Sequence, residues 1–174
     1  MSAQPNTIVV RDAAPADADT IVRIYNYYIS ETVVTFEEER LDVAEMARRI
    51  ANVQALGLPW LVAESDGSVV GYAYGTKWHM RHGYRFSAEV TVYLAPDQGG
   101  KGFGAALYAE LLDRLRALGY RSAIGGIALP NDASVALHEK FGFKKVAHYE
   151  RIGVKFDQWL DVGYWQCHLQ QDTP

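Results

Sequence analysis

Apolar positions along this chain change repeatedly between the spacing of a helix and the alternation of a strand. In PADADTIVRIYNYYIS, apolar side chains recur every three or four residues after acidic ones, which predicts an amphipathic helix. In RFSAEVTVYL, residues 85–94, apolar and polar residues alternate and residues with high strand propensity are frequent, which predicts a strand. Both kinds of element are therefore expected in one chain.

The spacing predicts the element order β-α-α-β-β-β-α-β-α-β-β. The predicted strands are 7–12, 60–64, 69–78, 85–94, 121–129 and a closing pair after residue 143, with a turn near Gly153. The predicted helices are bounded by residues that favour helix ends, namely Asp42, Gly57, Gly119, Asn131 or Asp132, and Gly142. On the third helix, Leu107, Leu111, Leu115 and Leu118 are expected to form one apolar stripe. Interleaved strands and helices favour a mixed sheet with helices on both faces.

Composition restricts the classes of function. The chain has 17 Lys and Arg against 21 Asp and Glu, a formal net charge of -4, which argues against a nucleic-acid or anionic-membrane surface. No run reaches the roughly 18–20 apolar residues that a membrane span needs, and the N-terminus lacks the features of a signal peptide. Cys167 is the only cysteine, so no internal disulfide can form. We expect one cytoplasmic domain over residues 1–174.

A glycine-rich segment, GGKGFGAAL, lies between the strand that ends near residue 94 and the leucine-rich helix. Glycines at the start of a helix leave backbone N–H groups facing outward, where proteins bind phosphate. A P-loop is excluded because Gly102, not Ser or Thr, follows Lys101. The dinucleotide pattern G-x-G-x-x-G/A is matched by Gly100, Gly102 and Ala105, but the acidic residue expected about 20 positions later is absent.

The remaining interpretation is a site for the pyrophosphate of coenzyme A, and here the sequence resembles the GNAT superfamily of N-acetyltransferases. The superfamily loop Q/R-x-x-G-x-G/A is matched from Gly100 to Gly104, but its first position falls on Gly99, with Gln98 one residue early. The segments GYAYGTKWHMRHGYRFSAEVTVYL, ALPNDASVALHEKFGF and FDQWLDVGYWQ resemble the phosphinothricin acetyltransferase branch more specifically. The resemblance covers nearly the whole chain.

The resemblance implies the α/β acyl-CoA N-acyltransferase fold of this superfamily. In that fold a mixed, mostly antiparallel sheet splays between the fourth and fifth strands, with helices on both faces. Acetyl-CoA would lie in the cleft, with its pantetheine amides on strand backbone and its pyrophosphate on the glycine loop. The coenzyme-binding residues implied in this way are Val92, Tyr93, Leu94, Gly100, Lys101, Gly102, Phe103, Gly104, Ala105 and Asn131.

Two residues are candidates for the chemistry. Read with a period of two, Glu89, Thr91 and Tyr93 share one face of the predicted strand. A carboxylate in a central strand is unusual unless it is hydrogen-bonded or functional, and Glu89 falls where the branch has its proposed general base. His138 falls where many superfamily members have a tyrosine proposed to protonate the thiolate, and where this branch has histidine. A surface glutamate and a structural histidine are the alternatives.

The segment WHMRHGYRF, residues 78–86, places aromatic and basic residues just before the candidate base. Rings and one guanidinium suit a small anionic amino acid, because arginine pairs with a carboxylate or phosphinate through two hydrogen bonds. By position, Arg81 and Tyr84 resemble branch residues near the acceptor, and Phe36 resembles a residue that lines its pocket. A basic loop in solvent and an ordinary core aromatic are the alternatives.

Two further patterns concern metals and partners. His79 and His82 have the spacing of metal ligands, but no Cys or further His cluster lies nearby in sequence, so we expect no metal. Trp159, Tyr164 and Trp165 near the C-terminus are typical of a core or an interface. The resemblance implies a homodimer.

The resemblance therefore implies an acetyl-CoA-dependent N-acetyltransferase that acts on the α-amino group of a small amino acid or analogue. Phosphinothricin and methionine sulfoximine or sulfone are the implied acceptors, and transfer would be direct, without an acyl-enzyme. A polyamine, an aminoglycoside or a protein N-terminus as acceptor stays open. So does a binding module that senses acyl-CoA without transferring the acyl group.

Overall fold

The structure is a computed structural model that describes residues 8–170. The order of its strands and α-helices is the one that the sequence predicts. The strands are β1 (Val9–Asp12), β2 (Trp60–Ser65), β3 (Ser68–Lys77), β4 (Ser87–Leu94), β5 (Ser122–Leu129), β6 (Lys144–Lys155) and β7 (Gln158–His168). The helices are α1 (Ala18–Glu31), α2 (Val43–Ala55), α3 (Phe103–Ala117) and α4 (Asp132–Lys140). The predicted mixed α/β fold is confirmed.

The strands form one seven-stranded sheet in the order β1-β2-β3-β4-β5-β7-β6. Every neighbouring pair is antiparallel except β4 and β5, which are parallel. These two strands pair only from Ser87 to Glu89 and from Ser122 to Ile124. Beyond that point they separate, so the predicted splay is confirmed and a V-shaped cleft opens between their carboxyl ends.

Helices cover both faces of the sheet. On one face, the Tyr25 ring of α1 meets Tyr93 of β4 edge to face, with ring centroids 5.2 Å apart. On the other face, Gly75 of β3 lies under Leu115 of α3, since a Cβ at that glycine would lie 3.4 Å from a leucine methyl group. No helix within residues 8–170 is both long and apolar enough to cross a membrane.

The helix ends that the sequence predicts are formed by local hydrogen bonds and backbone geometry. Asp42 caps α2, because its carboxylate accepts a hydrogen bond of 2.7 Å from the Glu45 amide. Asn131 rather than Asp132 caps α4, since its side-chain oxygen accepts from the Ser134 amide at 3.1 Å. Gly57 follows α2 in the left-handed region with φ +72, a conformation that favours glycine.

Two sequence-based expectations are wrong. Leu118 is not part of the buried stripe of α3, because it follows the last helical residue and is 53% exposed. The turn between the closing strands is not near Gly153. It lies at Phe156 and Asp157, which both have positive φ as a two-residue hairpin loop requires. Gly153 instead lies within β6, just after a shift in strand pairing.

Candidate active site

The cleft between β4 and β5 is lined by strand backbone that the sheet does not use. In the ladder between β3 and β4, the Ala95 amide donates to the Val70 carbonyl at 2.8 Å. Because hydrogen bonding alternates along an antiparallel pair, odd-numbered residues of β4 direct their backbone groups toward β3. Val92 and Leu94 direct theirs toward the cleft. Tyr93, expected in the same set, has its backbone on β3 and offers the cleft its side chain.

Two cavities that share lining residues follow the cleft. A narrow one of about 60 Å³ lies at the splay point, where Thr91 of β4 and Gly126 of β5 face each other across the gap. A wider one of about 240 Å³ continues past Leu94 to Gly99 at the glycine loop. Asn131 lines both cavities. The cleft therefore runs from the splay point to the start of α3.

The glycine loop leaves amide groups free at the start of α3. Gly100 and Gly102 have φ +75 and +90, which only glycine adopts readily. The Ala106 amide donates to the Gly102 carbonyl at 3.0 Å, as the first bond of the helix. The amides of the three preceding residues, Phe103, Gly104 and Ala105, have no acceptor within the helix. Together with the helix dipole they form a site that suits pyrophosphate.

Gln98, which lies one residue before the superfamily position, contacts the side chain of Lys101 in this loop. Its side-chain oxygen accepts a hydrogen bond of 3.1 Å from the ammonium group of Lys101. Gly104 has a packing reason of its own, since a Cβ there would lie 3.3 Å from Leu137 of α4 and 3.7 Å from Leu94. The cradle, the packed helix start and the free strand backbone together fit a pantetheine chain that ends in a pyrophosphate.

Glu89 lies on β4 close to the splay point. It pairs with Thr76 in an unbroken register, so it shares one face with Thr91 and Tyr93 as the period of two predicts. The side chain is half-buried, and burial raises the pKa of its carboxyl group, while the nearby imidazole of His79 acts in the opposite direction. Among residues 8–170 the carboxylate has no hydrogen-bonding partner. It is therefore available to a ligand.

His138 lies on the opposite face of the sheet, packed against Gly125 of β5. Its Nδ1 is 2.7 Å from the Ser134 carbonyl oxygen, which can only accept, so Nδ1 carries the proton. Its Nε2 is 2.9 Å from the Tyr108 hydroxyl and accepts from it. Burial lowers the pKa of His138, which keeps the ring neutral at neutral pH. In this form its only N–H is bonded to Ser134 and cannot be given to a leaving thiolate.

Sequence reasoning missed Tyr108. This residue is fully buried on α3 beside Leu107 and lines the narrow cavity together with His138. In the sequence it sits next to the leucine stripe, so its spacing predicts an ordinary core residue. The pairing with His138 depends on the packing of α3 against α4, which the spacing along one helix does not reveal.

A larger cavity of about 590 Å³ lies on the face of the sheet that carries Glu89. Tyr84, an expected acceptor residue, lines it, and so does His79, which acts on the Glu89 carboxyl group. Sequence reasoning missed the wall formed by β6 and β7, which contributes Tyr149, Ile152 and Tyr164. Arg81 is exposed and precedes the turn that carries Tyr84.

Phe36 borders this region from another segment. Its ring packs directly on Gly153 of β6, next to Ile152 in the cavity wall. The ring is 40% exposed, so it is not an ordinary core aromatic. The structure thus brings Phe36 and Tyr84 to the surroundings of one cavity, with Arg81 in the exposed segment beside it.

A splayed parallel pair with free strand backbone on one side and a glycine-rich helix start at its mouth is the architecture of an acyl-CoA N-acyltransferase. The chain belongs to the GNAT family of acetyltransferases, because the family model described as acetyltransferase (GNAT) domain matches residues 10–163. This confirms the family that the sequence resembles.

Several named acetyltransferases are similar to this chain over most of its length. Phosphinothricin N-acetyltransferase of Streptomyces viridochromogenes is 36% identical over 174 residues, which cover 100% of this chain and 94% of that protein. The L-methionine sulfoximine/L-methionine sulfone acetyltransferase of Salmonella typhimurium is 35% identical, covering 94% of this chain and 96% of that protein. A solved phosphinothricin acetyltransferase from Sinorhizobium meliloti, in complex with acetyl-CoA, is 39% identical with a TM-score of 0.90, covering 93% of this chain and 88% of that chain.

Proposed function

We propose that this chain is an acetyl-CoA-dependent N-acetyltransferase that acetylates the α-amino group of a small amino acid or analogue. The observation that carries the proposal is the position of Glu89, half-buried and without a partner among residues 8–170, at the splay point of the cleft. The activities named for the relatives support phosphinothricin and methionine sulfoximine or sulfone as acceptors.

In the proposed complex, acetyl-CoA would occupy the whole cleft. Val92 and Leu94 would bond the pantetheine amides through backbone groups, and the Tyr93 ring would line the wall. Asn131 uses its side-chain oxygen to cap α4, which leaves its NH₂ group for the coenzyme. The pyrophosphate would be held by Gly100, Lys101, Gly102, Phe103, Gly104 and Ala105. Acetyl-CoA, when bound, supplies an activated acetyl group.

Glu89 is assigned the role of general base. Most amino acids present an ammonium group at neutral pH, so a proton must leave before nitrogen can attack a carbonyl carbon. Glu89 would take that proton directly or through a water molecule, and its raised pKa brings it closer to the range that a base needs. Backbone N–H groups of β4 would polarise the thioester oxygen.

His138 and Tyr108 are assigned to the leaving-group side of the cleft. The neutral His138 ring accepts from Tyr108 and so fixes the orientation of that hydroxyl group. We infer that His138 acts through Tyr108 rather than by giving its own proton to the sulfur. On the acceptor side, Phe36 and Tyr84 would form walls, and Arg81 would pair with an anionic group of the acceptor.

The exposed edge of the sheet bears on the oligomeric state. The edge strand β6 and its neighbour expose Val146, Tyr149, Ile152, Val154 and Trp159, each between 43% and 59% exposed. A long apolar edge of this kind suits a second copy of the chain, so we propose a homodimer. Sedimentation equilibrium tests this homodimer, with Trp159→Lys expected to give monomers.

The single cysteine, a buried free thiol, supports a cytoplasmic location.

The decisive experiment measures free-thiol release from acetyl-CoA by the purified protein with a panel of amines. The panel contains phosphinothricin, methionine sulfone, ordinary amino acids, spermidine and a short peptide. Turnover confined to amino acids and their analogues is the expected result. Release only with spermidine or peptide would overturn the acceptor, and acetyl-CoA binding without any release would indicate a sensor.

A further inference from the structure

Lys155 at the end of β6 is buried in a way that lysines seldom are. Its side chain is 0% exposed, whereas a lysine is almost never fully buried unless it is paired. The ammonium group donates to the Thr35 carbonyl oxygen at 2.7 Å and to the Tyr28 carbonyl oxygen at 3.3 Å. Within the described part of the chain it forms no ion pair. Such burial is costly, so the hydrogen bonds, together with the Phe156 ring whose centroid lies 5.1 Å from Nζ, have to offset that cost.

Both carbonyl groups lie where α1 ends and the chain turns back. Tyr28 is in the last turn of α1, where carbonyl groups lack partners within the helix and favour a positive charge. Thr35 lies in the segment 32–37 that follows, and its hydroxyl is 2.9 Å from the Tyr25 hydroxyl. Lys155 therefore connects β6 to the end of α1 and to the loop after it.

The loop residues on either side of Thr35 face different sites. Val34 lines both cavities of the coenzyme cleft. Phe36 packs on Gly153 in β6, where a Cβ would come within 2.9 Å of three ring atoms. Beyond Phe36, the Glu37 carboxylate pairs with Arg49 of α2 at 2.7 Å. Lys155 thus holds the loop at the one residue between Val34, which lines the coenzyme cleft, and Phe36, which packs on β6.

We propose that Lys155 is a positioning residue for the acceptor side of the reaction: by holding the Thr35 carbonyl it fixes Phe36 against Gly153 and sets the affinity for the acceptor amine. The proposal rests on the proposed function in one respect, namely that Phe36 borders the acceptor. The placement of the loop by Lys155 stands on the hydrogen bonds alone and can be tested without turnover.

The first test compares Lys155→Met with Lys144→Met, an exposed lysine at the other end of the same strand. Kinetics are measured with phosphinothricin or whichever amino acid the wild type acetylates best. We expect Lys155→Met to raise the KM for the acceptor about tenfold, since a small misplacement of a substrate-positioning group has large effects. The Kd for acetyl-CoA should stay within about twofold, and Lys144→Met should match the wild type. An unchanged acceptor KM in folded Lys155→Met would overturn the proposal.

Hydrogen exchange separates this proposal from the proposed function. In Lys155→Met, amides of the segment 32–37 should exchange faster than in the wild type and in Lys144→Met. We expect this faster exchange even if the protein acetylates no amine. If the amides of 32–37 exchange at the wild-type rate in Lys155→Met, the positioning role is overturned. If Lys155→Met does not fold, Gly153→Ala replaces it, because the added methyl group displaces the Phe36 ring. Its acceptor KM should rise, while no rise would contradict the proposal.

Discussion

The hydroxyl oxygen of Tyr108 lies 2.9 Å from Nε2 of His138, inside the narrow end of the cleft. The other ring nitrogen donates to the Ser134 carbonyl group, so His138 is a buried, neutral imidazole with both nitrogens occupied. Burial lowers its pKa below the ordinary value of about 6.5. As pH falls through 6.5, His138 becomes protonated in the unfolded chain, whereas in the folded chain it stays neutral until a lower pH. Stability is therefore lost as the pH falls below about 6.5.

Replacement of His138 by Gln should remove this contribution to the pH dependence of stability. The free energy of unfolding of the wild type should fall more steeply between about pH 6.5 and pH 5 than that of His138→Gln. Urea denaturation at a series of pH values measures both slopes. Equal slopes in wild type and His138→Gln would argue that His138 is not a buried neutral group.

Replacement of Glu89 by Gln should affect turnover far more than coenzyme binding. Gln has the same shape but cannot take a proton, and general base catalysis typically contributes about 10²–10⁴-fold. We expect kcat to fall by about that factor while the Kd for acetyl-CoA, measured by calorimetry, is unchanged. Glu39→Gln, in an exposed loop, should have wild-type kcat. Full activity of Glu89→Gln at neutral pH would remove Glu89 from the chemistry.

The acid side of the pH–rate profile provides a separate test of the same residue. Glu89 must be ionised to accept a proton, and its burial raises the pKa above the ordinary value of about 4.3. In the wild type kcat/KM should therefore decline on the acid side with an apparent pKa above that value. The residual activity of Glu89→Gln should lack this decline. A decline that persists unchanged in the variant would have to come from another group.

Replacement of Arg81 by Ala should weaken binding of anionic acceptors. A hydrogen-bonded charge pair contributes about 1.5–3 kcal/mol, which corresponds to roughly a 10–150-fold rise in KM. Arg85→Ala is the matched control, because the Arg85 guanidinium bonds the His82 carbonyl at 3.2 Å and lies 4.5 Å from the Phe86 ring centroid. The measurement is the KM for phosphinothricin, which should rise in Arg81→Ala and stay near the wild-type value in Arg85→Ala. Equal effects in both variants would leave only a general contribution of positive charge.

Features that depend on neighbouring residues could be predicted from the sequence. The shared face of Glu89 and Thr91 follows from the period of a strand, and the register is unbroken there. The cap at Asp42 follows from a bond to an amide three residues away. The family resemblance added the cleft and its ligand, which no local pattern contains.

Features that depend on distant segments could not be predicted. Gly153 resembles a turn residue in the sequence, but its lack of a side chain makes room for the Phe36 ring. Lys155 resembles an exposed strand residue, but its ammonium group bonds the end of α1 and the following loop. Tyr108 resembles a core residue until α4 brings His138 against it. In each case the role is set by a contact between segments far apart in the chain.

Two glycines in the coenzyme loop allow a final, matched comparison. Gly102 has φ +90, and a residue with a Cβ in the left-handed region costs about 1–2 kcal/mol. Gly102→Ala should therefore weaken acetyl-CoA binding by roughly tenfold, because the strained loop would turn its amides away from the pyrophosphate. Gly99 has φ -64 and ψ 150, which alanine adopts freely, and a Cβ there would meet nothing within 4 Å. Gly99→Ala should bind acetyl-CoA as the wild type does, whereas equal losses in both variants would indicate that loop flexibility, not the left-handed geometry of Gly102, controls binding.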